Sequence, residues 1–551
     1  MKKMITTLLM VATATGMLAQ DATFSYFQYE GNDFRFSQEI DPSKEFFNPI
    51  LAGFYPDPAV CRKGDTYYLV NSSFSFFPGV PIFESKDLVN WQQTGHVLDR
   101  ESQLRLEGQW VSGGIYAPAI SYNEKNQTFY MITTNVGKGG NFYVKTKDPH
   151  KGWSEPVYLP KVDGIDPSFL FDSDGRAYIV HNAPVFGEAE YEGQRAIRLL
   201  EFSVEGDSTI GKPKEIVRGG THVTEHPVWI EGPHLYHIGK YYYLMCAEGG
   251  TGDGHSEVIF RAKKPQGPWE ECPQNPILTQ RNLGDSRVDK VTSTGHADLI
   301  QTKDGDWWAV FLGCRPYEEG MYNTGRETFL LPVTWNDGWP QILEKGKSVA
   351  TVVEKKGLMP AGNALTGNFT FTDRFNTQTL NPRWLFLRNP PANAYTLSDA
   401  GLTLHPAGSV RQTAPQSTLF YRQQHTAFAA ETSLSFTATS SKRLAGLVLF
   451  QDETHHFVFG KTLRDGRPAL VLKRMEKEEM LIASRFLPSN DDTLRLKIEA
   501  DGRYYSFYYA LGNTDTWHPL AVGADGSNLS TAKSGGFVGA MIGLYATKRN
   551  E

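Results

Sequence analysis

Three carboxylates stand out by their neighbours. Glu231 lies in Trp229-Ile-Glu-Gly-Pro-His-Leu-Tyr236, between an apolar dipeptide and a Gly-Pro turn. Asp57 lies in Tyr55-Pro-Asp-Pro-Ala-Val60, and Asp166 in Gly164-Ile-Asp-Pro-Ser-Phe169. Each sits beside or near a proline at the entry to a β-rich segment. Such acids suit glycosidic bond cleavage, in which one carboxyl protonates the leaving oxygen and a second carboxylate attacks or activates water. Glu231 suits the acid, because burial against Trp229 and Ile230 would raise its pKa and keep its proton near neutral pH. Asp57, fixed between two prolines, suits a base. Asp166 adds a third charge able to tune the acid and orient a sugar ring. An Asp-Pro pair alone is more often a turn starter, since Asp bonds its own backbone. The case for chemistry therefore rests on register across repeats.

That register comes from a repeated unit that begins at residue 49. Each copy opens with an x-Pro-like entry, runs through an apolar strand, turns at Gly or Asp-Gly, and continues into an aromatic strand. Pro58, Pro118, Pro167, Pro233 and Ala297 mark the same position in successive copies, spaced by 60, 49, 66 and 64 residues. A β-rich repeat of this period predicts a propeller, here with five four-stranded blades. The innermost strand of each blade then starts at one mouth of the axial channel, which brings Asp57, Asp166 and Glu231 together. Glu231 lies one place earlier in its copy than the two Asp. The second copy has Ala117 in the acid position, so the fold itself does not demand a carboxylate there.

The pattern stops near residue 350. Residues 351–368 read as a linker, and residues 369–551 read as short alternating strands, with an Asp501-Gly502 hairpin near the end. The expectation is all-β: a five-bladed β-propeller over 49–350, then an antiparallel β-sandwich, with no long helix. Residues 21–48 read as a polar and aromatic leader of weak pattern. Before it, Lys2-Lys3 and the apolar run Ile5 to Leu18 read as a signal peptide over 1–20, which places the mature protein in the periplasm or outside the cell. No further membrane span is predicted. The net charge of -6 argues against a nucleic-acid partner, and aromatics at 13% suit both strands and sugar-stacking surfaces. Cys61, Cys246, Cys272 and Cys314 lack CxxC spacing, which disfavours a zinc site and favours buried free thiols.

These residues resemble glycoside hydrolase family 43. The resemblance is carried by Gly53-Phe-Tyr-Pro-Asp-Pro58, Ser73-Phe-Ser-Phe-Phe-Pro-Gly-Val80, Ser85-Lys-Asp-Leu-Val-Asn-Trp91, Ile165-Asp-Pro-Ser-Phe169, Glu231-Gly-Pro-His234 and Gly325-Arg-Glu-Thr328. The segment Ala445-Gly-Leu-Val-Leu-Phe-Gln-Asp452 resembles the concanavalin-like sandwich of the β-xylosidase-type branches. The resemblance implies an inverting mechanism with Asp57 as general base, Asp166 as modulator and Glu231 as general acid. It further implies sugar contacts from Arg326, an aromatic wall at Phe74, and His296 near the axis, where members place a calcium ion or water cluster. No dense oxygen-ligand loop accompanies His296, so a structural calcium ion rests on the resemblance alone, and no cofactor is expected for the reaction. Tyr116 stands where close relatives have Trp, which bears on subsite preference. Such relatives also continue past the Gly543-Leu-Tyr-Ala-Thr547 strand, so the sandwich is expected to lack an edge strand. The function implied is exo-acting release of terminal β-D-xylosyl or α-L-arabinofuranosyl residues from plant cell-wall oligosaccharides or polysaccharides, with a sandwich loop closing one side of the pocket. The competing readings are a non-catalytic carbohydrate-binding propeller and an endo-acting arabinanase. The oligomeric state is open.

Overall fold

A computed structural model describes residues 21–284, 286–360, 365–491 and 493–548. The signal-peptide expectation falls on residues 1–20, outside the described residues. Five sheets radiate from one axis, each a run of antiparallel neighbours in chain order. The inner strands are Ala59–Lys63, Ile115–Asn123, Ile165–Phe171, Glu231–Ile238 and Thr292–Gln301. Apolar side chains from neighbouring blades interlock between the sheets, as with Tyr130, Phe169 and Phe202 between the second and third blades. The ring closes near its N-terminal entry. Glu45–Phe47 pairs with Val352–Glu354, inside the expected linker, and the Asn48 side chain both donates to and accepts from the Leu330 backbone.

The sandwich faces two broad sheets across a core that includes Phe24, Phe27, Trp384, Tyr421, Leu447 and Phe507. Its composition corrects the reading of the leader. Ala22–Gly31 is a central strand of the first sheet, paired with Gly401–Leu404, Thr370–Asp373 and Ala427–Ser435. The alternation in Ala-Thr-Phe-Ser-Tyr-Phe-Gln-Tyr is broken by a bulge between Phe24 and Phe27, which hides its period of two. The last described strand, Met541–Lys548, lies inside the second sheet between Thr418–Arg422 and Arg443–Asp452. One margin of that sheet is Phe76–Phe77 of the propeller, paired with Leu385–Leu387. The two lobes therefore share a sheet. The predicted hairpin is present one residue on, with Gly502 and Arg503 between the paired Asp501 and Tyr504. Helix is confined to short pieces such as Thr531–Ser534, and the four cysteines are free and buried. Among the described residues, no helix is long and apolar enough to cross a membrane.

Candidate active site

The blade entries share one backbone device. Asp57, Ala117, Asp166, Gly232 and His296 precede the five marker positions, and all have positive φ, between 21° and 55°. In the second to fifth blades a bulge interrupts pairing at the same place, between Tyr116 and Ala119, Ile165 and Ser168, Glu231 and His234, and Gly295 and Asp298. A bulge with one left-handed residue re-aims consecutive side chains. This explains the offset of Glu231. The position equivalent to Asp57 is Gly232 in the fourth blade, where an added Cβ would lie 2.8 Å from the His296 ring. His296 fills that space, so the carboxylate comes from the preceding position, equivalent to Tyr116 and Ile165.

These entries surround a cavity of about 500 Å³ lined by Asp57, Phe74, Tyr116, Ala117, Ile165, Asp166, Trp229, Glu231, Gly250, Thr251, His296, Arg326 and Phe537. Every residue singled out from the sequence, from Asp57 to Arg326, is on that wall. The carboxylates are buried, and their surroundings differ. Asp57 accepts a hydrogen bond from Ser72 Oγ at 2.6 Å and has Arg326 Nη1 at 3.2 Å and His296 Nδ1 at 3.7 Å. Burial opposes its charge, but Arg326, His296 and Ser72 together hold its pKa below the usual carboxylate range. Glu231 goes the other way. Burial and the charge of Asp166 raise its pKa, and Arg326 and Arg195 only partly offset them. Asp166 is raised by burial and by Asp57, opposed first by the Gly232 N–H, which it accepts at 3.1 Å. Asp166 and Glu231 titrate as a pair. The amide on Asp166 favours placing the negative charge there and the proton on Glu231.

Aromatic rings form the closed end. Phe74 packs edge-on to Tyr116 at 5.0 Å and stacks on Phe54 at 5.8 Å, so it is at once core and wall. The Tyr116 hydroxyl donates to Ser112 O at 2.9 Å, and burial pushes its pKa up to about 12, leaving a neutral phenol. Phe537 comes from the sandwich, stacked on Phe74 at 6.0 Å, with the Arg326 guanidinium 5.4 Å from its ring. Its loop is pinned by Phe537 N–H to Ser112 Oγ and by Gln451 to the Val538 carbonyl. Sequence reasoning missed Phe537, Ser72 and Arg195. The available signal for Phe537 was a lone aromatic in Gly535-Gly-Phe-Val-Gly539.

The surroundings of His296 do not fit a directly bound calcium ion, which takes six to eight oxygens. The groups close to His296 are the imidazoles of His234 and His255 and the Asp57 carboxylate, already engaged by Arg326 and Ser72. Burial lowers the His296 pKa to about 4, so its imidazole is neutral. Among the described residues, no group of three or more His, Cys, Asp or Glu side chains could hold a metal ion.

Comparison with known proteins agrees with this geometry. Residues 46–340 match the family model for glycosyl hydrolases family 43, and residues 372–551 match the β-xylosidase C-terminal concanavalin A-like domain. The chain is 39% identical over 512 residues to a xylosidase/arabinosidase of Butyrivibrio fibrisolvens, covering 92% of this chain and 96% of that protein. It is 37% identical over 514 residues to a non-reducing end α-L-arabinofuranosidase of Bacteroides ovatus, covering 92% of each. The crystal structure of a GH43_12 from a capybara gut metagenome superposes with a TM-score of 0.89 at 41% identity, over 96% of this chain and 100% of that one. With an acid-bearing propeller mouth, a lidding sandwich and these matches over nearly its whole length, the chain belongs to glycosyl hydrolases family 43.

Proposed function

We propose that the protein is an inverting, exo-acting glycosidase that releases terminal β-D-xylosyl or α-L-arabinofuranosyl residues from plant cell-wall oligosaccharides. The observation that carries this reading is the opposite perturbation of Asp57 and Glu231 in one cavity. Environments that push two carboxyls apart assign base and acid. Glu231 donates its proton to the glycosidic oxygen as the bond to the anomeric carbon breaks. Asp57 takes a proton from a water molecule that attacks that carbon from the opposite face. The product is a hemiacetal of inverted configuration, and both carboxyls are reset by proton exchange with solvent. Asp166 carries the charge that keeps the proton on Glu231, and Arg326 keeps Asp57 ionised while facing the sugar.

Exo action is supported by the aromatic end of the cavity, where Phe74, Tyr116 and Phe537 pack against one another. The sugar class is supported by the relatives named for xylosidase and arabinofuranosidase activity. The signal-like residues 1–20 support export to the periplasm or beyond, which cell fractionation tests.

The decisive experiment is hydrolysis of 4-nitrophenyl β-D-xylopyranoside and α-L-arabinofuranoside by wild type, Asp57→Ala and Glu231→Ala, with proton NMR of the first-formed anomer. The expected result is activity on at least one substrate, an inverted first product, and collapse in both variants. Retained configuration would refute the assignment of Asp57 as a base. Inertness of wild type on these and on xylo- and arabino-oligosaccharides would favour a binding protein.

A further inference from the structure

Trp229 is the one large aromatic of the cavity wall that stays substantially in water, 42% exposed, whereas Phe74 is 1% exposed. Its ring is not loosely placed. Trp229 has φ of 54°, a left-handed conformation that a bulky side chain rarely adopts. The neighbouring backbone holds it there: Trp229 N–H donates to the Gly193 carbonyl at 2.9 Å, and Gly249 N–H donates to the Val228 carbonyl at 2.9 Å. Asn182 adds a clamp. Its amide donates to the Ile230 carbonyl at 2.5 Å, and its oxygen accepts two bonds from Arg195, at 2.7 and 3.2 Å. Arg195 in turn places its guanidinium 5.0 Å from the Trp229 ring centroid. Strained backbone retained by several independent bonds marks a site where orientation matters.

The chemistry of Glu231 says which part of a substrate meets this ring. A general acid donates to the oxygen that leaves, so the leaving group lies on its side of the scissile bond. Trp229 is two residues from Glu231, on the open rim with Thr251. On the glycosidase reading the terminal sugar lies on the other side of the scissile bond, among Phe74, Tyr116 and Phe537, which line the same cavity. We propose that Trp229, backed by Arg195, is the platform on which the leaving-group sugar of an oligosaccharide stacks. The apolar C–H face of a pyranose or furanose ring lies on the indole, and the enzyme thereby favours a sugar over a small alcohol as leaving group. This inference rests on the glycosidase reading and on the assignment of Glu231.

The test compares wild type, Trp229→Ala and Trp229→Phe on xylobiose and α-1,5-arabinobiose, with inhibition by free xylose and arabinose as a probe of the closed end alone. Losing one stacked ring should lower kcat/KM on the preferred disaccharide about tenfold or more in Trp229→Ala, chiefly through KM. Trp229→Phe should recover most of it. Inhibition by the monosaccharide and the alkaline limb of the pH profile should both stay as in wild type. Unchanged kcat/KM in Trp229→Ala would overturn the platform alone. So would a shift of the alkaline limb or an equal loss of monosaccharide binding, since either would mean that Trp229 acts through Glu231 or the fold. A wild type inert on every substrate would overturn the glycosidase reading as well.

Discussion

Replacing Asp33 by Ala should destabilise both lobes, because Asp33 belongs to a buried ionic cluster that also positions the site. Arg315 Nη1 donates to Asp33 at 2.8 Å, while its Nε and Nη2 donate to Glu327 at 2.6 and 2.8 Å. Asp33 also accepts from Thr426 Oγ1 and Ala427 N–H in the sandwich, each at 2.6 Å. Glu327, next to Arg326, accepts from Gly53 N–H at 2.6 Å and so steadies the loop that leads to Asp57. Breaking a buried pair costs about 3–5 kcal/mol. Arg315 keeps Glu327, which places this loss near the lower end, about 3 kcal/mol. The stranded donors on Thr426 and Ala427 add ~1 kcal/mol or more between them. For domains of this size the sum corresponds to a fall of roughly 5–10 °C in Tm. Calorimetry on wild type, Asp33→Ala and Asp33→Asn measures it, and Asn should recover part of the loss through its amide oxygen. The pH dependence has a definite sign. Burial opposes the Asp33 charge, but Arg315, His425, Thr426 and Ala427 bring its pKa below the ordinary 3.8. A depressed native pKa stabilises the fold above the unfolded value, and that contribution is lost as pH falls through the native one. The gap between wild type and variant should be constant around neutrality and narrow below pH 3.8. A Tm change under about 1 °C at neutral pH, or a gap that widens in acid, would refute the reasoning.

Phe537→Ala should cost roughly tenfold in kcat/KM, since its ring lines the cavity beside Arg326. Its loop keeps its anchors, so the loss of the ring contacts to Phe74 and Tyr116, ~0.5–1.5 kcal/mol each, should lower Tm by only a few degrees, and a much larger fall in calorimetry would show that the ring is chiefly structural. Ser72→Ala removes a bond that favours the Asp57 anion. The Asp57 pKa should rise, moving the acid limb of the kcat/KM profile to higher pH with the alkaline limb fixed. Because Glu231 is raised, wild-type kcat/KM should hold through neutral pH and fall only as that proton is lost in alkali, whereas a fall centred in the ordinary carboxylate range would argue against the acid assignment. Gly539→Ala would set a Cβ 2.6 Å from the Thr324 carbonyl, between the loops that carry Arg326 and Phe537. Overpacking of ~1–3 kcal/mol should lower Tm and kcat/KM together, in contrast to Phe537→Ala.

Much of the propeller was legible because its repeat is local. A Pro-marked entry, an apolar strand and a Gly turn recur in each blade, and strand period and turn chemistry act over a few residues. The repeat predicted that Asp57, Asp166 and Glu231 converge, and resemblance added Phe74, Tyr116, Arg326 and His296. All of them line one cavity. The sandwich leader was not legible. A bulge between Phe24 and Phe27 breaks the alternation of Ala22–Gly31, and its partners lie hundreds of residues away. The place of Met541–Lys548 inside its sheet was not legible for a related reason: chain order says little about strand order once the sheet is threaded non-consecutively.

The sequence by itself determined the chemistry available: two aspartates and a glutamate at repeat entries, prolines that fix their backbone, and aromatics for a sugar face. Tertiary structure decided which groups became acid and base. Arg326, far along the chain, and Ser72, from the same blade, reach Asp57 and favour its anion, while burial beside Asp166 disfavours that of Glu231. It also decided that a sandwich residue, Phe537, closes the propeller pocket. Charge states and enclosure depend on desolvation and on neighbours brought close only by folding, and neither is written in the spacing of residues along the chain.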